Sequence, residues 1–134
     1  MKENIIIVPI YKTQLSSYEK IALQQCFNIF SEKKIIAIKP KSLSIDELNL
    51  EFFSVVSFED YYFKNIHGYN RLMLSIQFYE RFLEYNFMLI YQTDAFVFSD
   101  QLDYWSNSGF DYIGAPWLKP LKNDNIINKL YFEF

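Results

Sequence analysis

Apolar positions along this chain follow two rhythms, solid runs and helical spacing, and the alternation between them sets the fold class. Residues 4–10 read N-I-I-I-V-P-I, a run without polar alternation, as expected of a strand covered on both faces. Pro9 and the polar residues after Tyr11 end it. Ser16 and Glu19 have the spacing of a capping box, and the helix it opens is predicted to reach about Phe30, with Tyr18, Ile21, Ala22, Cys26, Ile29 and Phe30 on one face. A second strand is predicted over residues 34–38, stopped by Pro40. Strand, helix, strand at this spacing is a βαβ unit, which implies a parallel pair and a right-handed crossover.

The rest of the chain continues in the same idiom. A turn of helix is expected near residues 44–48, a short strand over 53–58 and a loop over 59–68. One long helix is predicted over 69–85, with Leu72, Met73, Ile76, Tyr79 and Leu83 inward. A buried parallel strand follows over 87–93, then a short helix over 100–106 with Gly109 past its end. The last predicted strand covers 112–115, halted by Pro116. Residues 119–128 are polar, and the closing Y-F-E-F has no evident partner. No internal repeat or low-complexity tract interrupts the series.

The most informative stretch is F-M-L-I-Y-Q-T-D-A-F-V-F, from Phe87 to Phe98, because it carries one carboxylate, Asp94, and one amide, Gln92. An ionised carboxylate is costly to bury without a partner, so Asp94 is expected where the strand leaves the sheet. In open α/β sheets ligands bind at that edge, outside the carboxyl ends of the strands. Side chains alternate along a strand, so Gln92 and Asp94 point to the same side, roughly 6.5 Å apart along the axis. Two oxygen donors so placed could hold a hard cation such as Mg2+ or Mn2+. The alternative is that Asp94 only caps the turn or the short helix that follows, and spacing alone does not separate the two.

Composition narrows the field. With 134 residues the chain is long enough for one domain with a real core. A net charge of -3, with basic residues scattered, gives no footprint for nucleic acid and no cluster for a membrane surface. The single Cys26 excludes an internal disulfide, fits a reducing compartment, and on an apolar helix face reads as a packed thiol rather than a nucleophile. The single His67 argues against a Ser-His or Cys-His triad and against a histidine-rich metal site. No secretory signal is visible and no stretch approaches a membrane span, so a cytoplasmic location is expected, with peripheral contact at the inner face of a membrane left open. With 14 Phe and 11 Tyr, the chain needs a large core or a partner to cover its aromatic surface.

Arg71 is the other residue singled out by position. In the first turn of the predicted long helix the macrodipole disfavours a cation by a few tenths of a kcal/mol. Free N–H groups and a guanidinium together would suit an anion, a diphosphate or Asp94 itself; the alternative is an ordinary solvent-facing arginine. No G-x-G-x-x-G loop or P-loop is present, so neither a dinucleotide fingerprint nor a Walker-type NTPase is supported. A receiver-type signalling domain would need an acidic cluster after strand one, which V-P-I-Y-K-T-Q lacks.

Four segments in order carry a family resemblance: V-P-I-Y-K, G-Y-N-R-L-M-L-S, L-I-Y-Q-T-D-A-F-V-F and G-F-D-Y-I-G-A-P-W. Together they resemble domain of unknown function family 5672, described as glycosyltransferases of bacterial polysaccharide loci, over nearly the whole chain up to Trp117. That family is in turn similar to GT-A glycosyltransferases of the glycogenin type. The resemblance implies an α/β, Rossmann-like, three-layer GT-A-type sandwich with a mostly parallel sheet, incomplete at its C-terminal side. It would occupy residues 1–117, with 118–134 as a short tail.

The same resemblance implies roles. In GT-A enzymes a strand ends in Asp-x-Asp, whose carboxylates bind Mn2+ or Mg2+ on the sugar-nucleotide diphosphate. Asp94 matches the second aspartate and Gln92 stands in place of the first, so cation affinity should be weaker, or the cation dispensable. Tyr11 would lie by the nucleoside base, the alternative being simple packing. Arg71 would lie near the diphosphate or buttress Asp94. Asp111 would act at the acceptor side as the catalytic residue, and Trp117 would offer its face to an acceptor sugar or else close the core.

The implied activity is transfer of a sugar from a nucleoside-diphosphate sugar to a glycan or lipid-linked acceptor, with no nucleic acid involved. Family members continue into a glycine-rich G-N-G-G-F-S-L-R-like segment that this sequence lacks. The expectation is a truncated relative, a fragment of a split gene, or a domain completed by a second chain. A catalytically inactive ligand-binding or interaction module is the alternative function.

Overall fold

The computed structural model describes residues 3–115, 117–120 and 130–133. Its centre is a four-stranded, all-parallel sheet built from β1 (Ile5–Pro9), β2 (Lys34–Pro40), β3 (Ser54–Phe58) and β4 (Met88–Ile90), in the order β3-β2-β1-β4. The chain is therefore an α/β protein. Ile5, Ile6, Ile7 and Val8 of the inner strand β1 are fully buried, which is why its sequence shows no alternation.

Alternate residues of the strands feed two cores. Ile6, Val8, Ile10, Ile35 and Ala37 face α1 (Ser17–Ile29), packing with Leu23, Cys26 and Phe30. Ile5, Ile7, Ile36 and Ile38 face the other way, packing with Phe58, Leu72, Phe78 and Phe82 from the β3–β4 connection. Burying each Ile, Val, Leu or Phe among them is worth about 1.5–3 kcal/mol, so both helical layers are held by the same strands.

The capping box at Ser16 forms as the sequence implies: Glu19 N–H donates to Ser16 Oγ at 3.3 Å, and Ser16 N–H donates to Glu19 Oε2 at 2.8 Å. The inward stripe of α1 is rotated from the expected one, with Ala22, Leu23 and Cys26 buried and Tyr18 and Ile21 exposed. Leu23 is the core residue the stripe omitted.

The single helix expected over 69–85 is two shorter ones, α2 (Ile66–Met73) and α3 (Ile76–Glu80). Ser75 causes the break. Its hydroxyl donates to Leu72 O at 2.8 Å and accepts from Phe78 N–H at 3.2 Å, closing one helix and capping the next. The restart shifts the phase, so Phe78 and Phe82 are buried while Ile76, Tyr79 and Leu83 are exposed. Asn65 caps α2, accepting from Gly68 N–H at 2.9 Å. Arg71 therefore belongs to the last turn of α2 rather than the first turn of a longer helix.

Two strand expectations change as well. β4 spans three residues and is half-buried, because it is the sheet's edge with β1 as its one neighbour, rather than a buried strand over 87–93. Residues 112–115 are exposed coil. The strands beyond them are β5 (Trp117–Pro120) and β6 (Leu130–Glu133), paired antiparallel with Trp117 opposite Glu133, so Tyr131, Phe132 and Glu133 of the closing segment do have a partner strand. Strand formation needs a neighbour, and local sequence did not reveal one ten or more residues away. The short α4 (Leu102–Ser106) has Gln101 at its N-cap position, and just before it Asp100 Oδ1 accepts from Leu102 N–H at 3.0 Å. Among the described residues no helix is long and apolar enough to cross a membrane.

Candidate functional site at the carboxyl mouth of the sheet

The sheet reverses its direction of growth between β1 and β4, since β2 and β3 lie on one side of β1 and β4 on the other. Doubly wound sheets bind ligands outside the carboxyl ends of their strands at such a point. Here the opening has a local cause. Ile5 N–H donates to Phe87 O at 3.0 Å and Ile7 O accepts from Tyr91 N–H at 2.8 Å, so every second residue of β1 bonds toward β4. The next donor in that series would be residue 9, a proline without an N–H. The ladder ends at Ile7 opposite Ile90, and the two strands part beyond it.

The β4 side of this mouth is a tight turn, with Ala95 N–H donating to Gln92 O at 3.0 Å. Gln92 and Asp94 are both exposed there, on either side of Thr93, which is only 8% exposed. The Asp94 carboxylate takes no hydrogen bond or ion pair among the described residues, so it caps neither the turn nor α4. Tyr91 anchors the turn from below: its hydroxyl donates to either Ala22 O at 2.9 Å or Ala95 O at 2.7 Å, and burial pushes its pKa up to about 12.

Tyr69 is a site residue that sequence reasoning missed. Gln92 Nε2 donates to the Tyr69 hydroxyl at 3.3 Å, which leaves the amide oxygen of Gln92 unengaged. Burial, with the negative field of Asp94 adding to it, raises the Tyr69 pKa. A Tyr69 among 11 tyrosines carries no signal until α2 is known to begin at Ile66, which brings its first turns to the mouth.

Glu19 is the second omission beyond its capping role. Its Oε1 lies 2.8 Å from Lys12 Nζ and accepts from Thr93 Oγ1 at 3.4 Å. Its Oε2 accepts from Lys12 Nζ at 3.1 Å and from Ser16 N–H. The Lys12 hydrogen bond, followed by that of the Ser16 backbone, lowers the Glu19 pKa to about 2, and the same pairing raises that of Lys12. One carboxylate thus joins the end of β1, the start of α1 and the turn after β4. Tyr11, 55% exposed, stands next to this network, with Lys12 Nζ 5.9 Å from its ring centre.

The remaining predicted residues are not gathered here. Arg71 is exposed, and its positive field acts on Tyr61, with no bond to Asp94. Asp111 is exposed in coil, without a hydrogen bond among the described residues to anything at the mouth. The side chain of Trp117 lies outside the described residues. A shallow depression of about 500 Å³ is lined by Asp100, Gln101, Asp103 and Tyr104, none of them mouth residues. It sits by the amino ends of the strands, where Asp103 accepts from Asn4 Nδ2 at 2.8 Å and Lys33 Nζ at 2.9 Å.

A family model described as protein of unknown function (DUF5672) matches residues 52–132, more than half of the chain. The chain belongs to this family. The match takes in Tyr69, Arg71, Gln92, Asp94, Asp111 and Trp117, while Tyr11, Lys12 and Glu19 precede it. No curated protein and no solved structure matches the chain.

Proposed function

We propose that this member of the DUF5672 family is the nucleotide-sugar-binding domain of a GT-A-like glycosyltransferase. It would transfer a sugar from a nucleoside diphosphate to a hydroxyl of a glycan or lipid-linked acceptor in bacterial surface-polysaccharide synthesis, on the cytoplasmic side of the membrane. The observation that carries the proposal is an exposed carboxylate, Asp94, without a partner among the described residues, at the switch point of a parallel sheet and beside an amide whose oxygen takes no hydrogen bond from those residues. A carboxylate left free at a ligand-binding edge is suited to a cation or to a sugar hydroxyl.

The fit to Mn2+ or Mg2+ is partial. Among the described residues no group of three His, Cys, Asp or Glu side chains could hold a metal ion. Asp94 and the Gln92 oxygen would supply at most two ligands, which suits an ion held mainly by the diphosphate and water. Such an ion supplies charge neutralisation of the leaving diphosphate. Tyr11 would pack against the base, Tyr69 would fix the Gln92 amide, and Asp111 and Trp117 would serve the acceptor side.

A second reading is favoured by the presence of one unpaired carboxylate, Asp94, among the described residues of the mouth, Glu19 being engaged by Lys12: a module that binds a nucleotide sugar without turning it over. A thermal-shift screen of UDP-, GDP- and CMP-sugars, with and without Mn2+, tests both. Stabilisation by one nucleotide class supports the binding site, because a ligand selective for the native state raises the melting temperature. Release of free nucleotide from the stabilising sugar then separates enzyme from binder, and no stabilisation by any of them refutes both.

A further inference from the structure

We propose that Lys12, held in place by Glu19, is the residue of the mouth that contacts a phosphate group of the ligand. The inference rests on the nucleotide-diphosphate reading of this site and adds to it an anion contact from the β1 side. Three observations converge on the ammonium. It stands where β1 and β4 part, past the ladder's end at Ile7 and Ile90. Its Nζ donates to Glu19 Oε2 at 3.1 Å and lies 2.8 Å from Oε1 of the same carboxylate, while its side chain remains 43% exposed, so the ammonium still presents a donor to solvent. Across the mouth, Thr93 bonds the same carboxylate and precedes Asp94 directly, so the cation-binding and anion-binding sides are braced by one residue.

Glu19 has the attributes of a positioning residue. Its side chain is 13% exposed, both its oxygens are engaged, and its partners come from three different segments. Without it Lys12 would regain the rotamer freedom of a surface lysine, and that ordering cost would fall on ligand binding. Tyr11 beside Lys12 gives the same wall a flat apolar face, so a base or sugar ring and a phosphate could be held together.

The test is calorimetric titration of the full chain with UDP, uridine and pyrophosphate, for wild type and for Lys12→Met, Glu19→Gln and Ser16→Ala, with GDP and CMP added for wild type. Lys12→Met is expected to weaken UDP and pyrophosphate about tenfold, the size of one lost hydrogen bond to a charged group, and to leave uridine unchanged. Glu19→Gln should weaken the same two ligands less. Ser16→Ala, which removes a helix cap but keeps the Ser16 N–H, should lower the melting temperature and leave all three affinities alone. Unaltered UDP binding in Lys12→Met overturns the inference while the nucleotide reading stands. Pyrophosphate binding that depends on Lys12, with no binding of UDP, GDP or CMP, keeps the anion contact and overturns the nucleotide reading. Binding of neither pyrophosphate nor any of these nucleotides by wild type overturns both.

Discussion

Single side chains differ here in how far their neighbours constrain them. Asp94 is exposed and has no partner among the described residues, so Asp94→Asn should leave the melting temperature within about 2 °C, as expected for a surface change away from any cap or core contact. It should also weaken Mn2+-dependent UDP binding in calorimetry; an unchanged titration would remove Asp94 from the site. Cys26 is the opposite case. It is fully buried, and burial pushes its thiol up to about 12, so the native protein should resist a thiol reagent until denaturant opens the core. Fast labelling of the native chain would contradict this packing. Both residues were legible in the sequence, one as the odd carboxylate in an apolar run and one as a cysteine on an apolar helix face. Tyr69 and Lys12 were not, because nothing local distinguishes a tyrosine or lysine that faces a mouth from one that faces water.

At the scale of elements, the β3–β4 connection decides what reaches the site. Gly68 packs α2 against the 3-10 turn Asp60–Phe63: a Cβ there would lie 2.5 Å from Tyr61 O and 3.0 Å from Tyr62 O. These are backbone atoms that cannot swing aside, so Gly68→Ala is expected to destabilise by about 1–3 kcal/mol and to displace the neighbouring Tyr69 from Gln92. Denaturant melts with unchanged midpoint would show that the two segments separate freely. Phe78, fully buried in the middle of α3, should cost about 3–5 kcal/mol as Phe78→Ala. Ile76→Ala in the same helix should cost little, since Ile76 is exposed. A helical wheel drawn through residues 69–85 predicts the reverse for Ile76, so this pair measures the break at Ser75 directly.

The whole molecule is a parallel sheet between two helical layers, opened at one end by a proline and braced there by an ion pair. Its acid sensitivity should show that brace. Glu19 is depressed to about 2 from 4.5 in the folded state, so it binds fewer protons folded than unfolded. Its stabilising contribution is therefore complete above about pH 4.5 and lost as pH falls toward 2. Asp60 and Asp103 are lowered in the same direction by bonds from Ser42 and from Lys33 and Asn4. Wild type should lose stability across that window more steeply than Glu19→Gln in urea melts, and equal slopes would place the depressed carboxyl elsewhere.

Periodicity and punctuation determined much of this. Solid apolar runs marked strands with both faces covered, the Ser16–Glu19 spacing marked a helix start, and Asp94 stood out because a charge in an apolar run has to reach solvent. These signals are local, and their physics acts within a few residues. Three matters were decided by tertiary structure: which strand lies at the edge, how α1, α2 and α3 are rotated, and which side chains meet Asp94. Strand order follows from contacts between residues far apart, as when β4 takes the free side of β1. The mouth combines both kinds of cause. Pro9 is plain in the sequence, but that its missing N–H faces β4 and ends the ladder there depends on which strand β1 has for a neighbour.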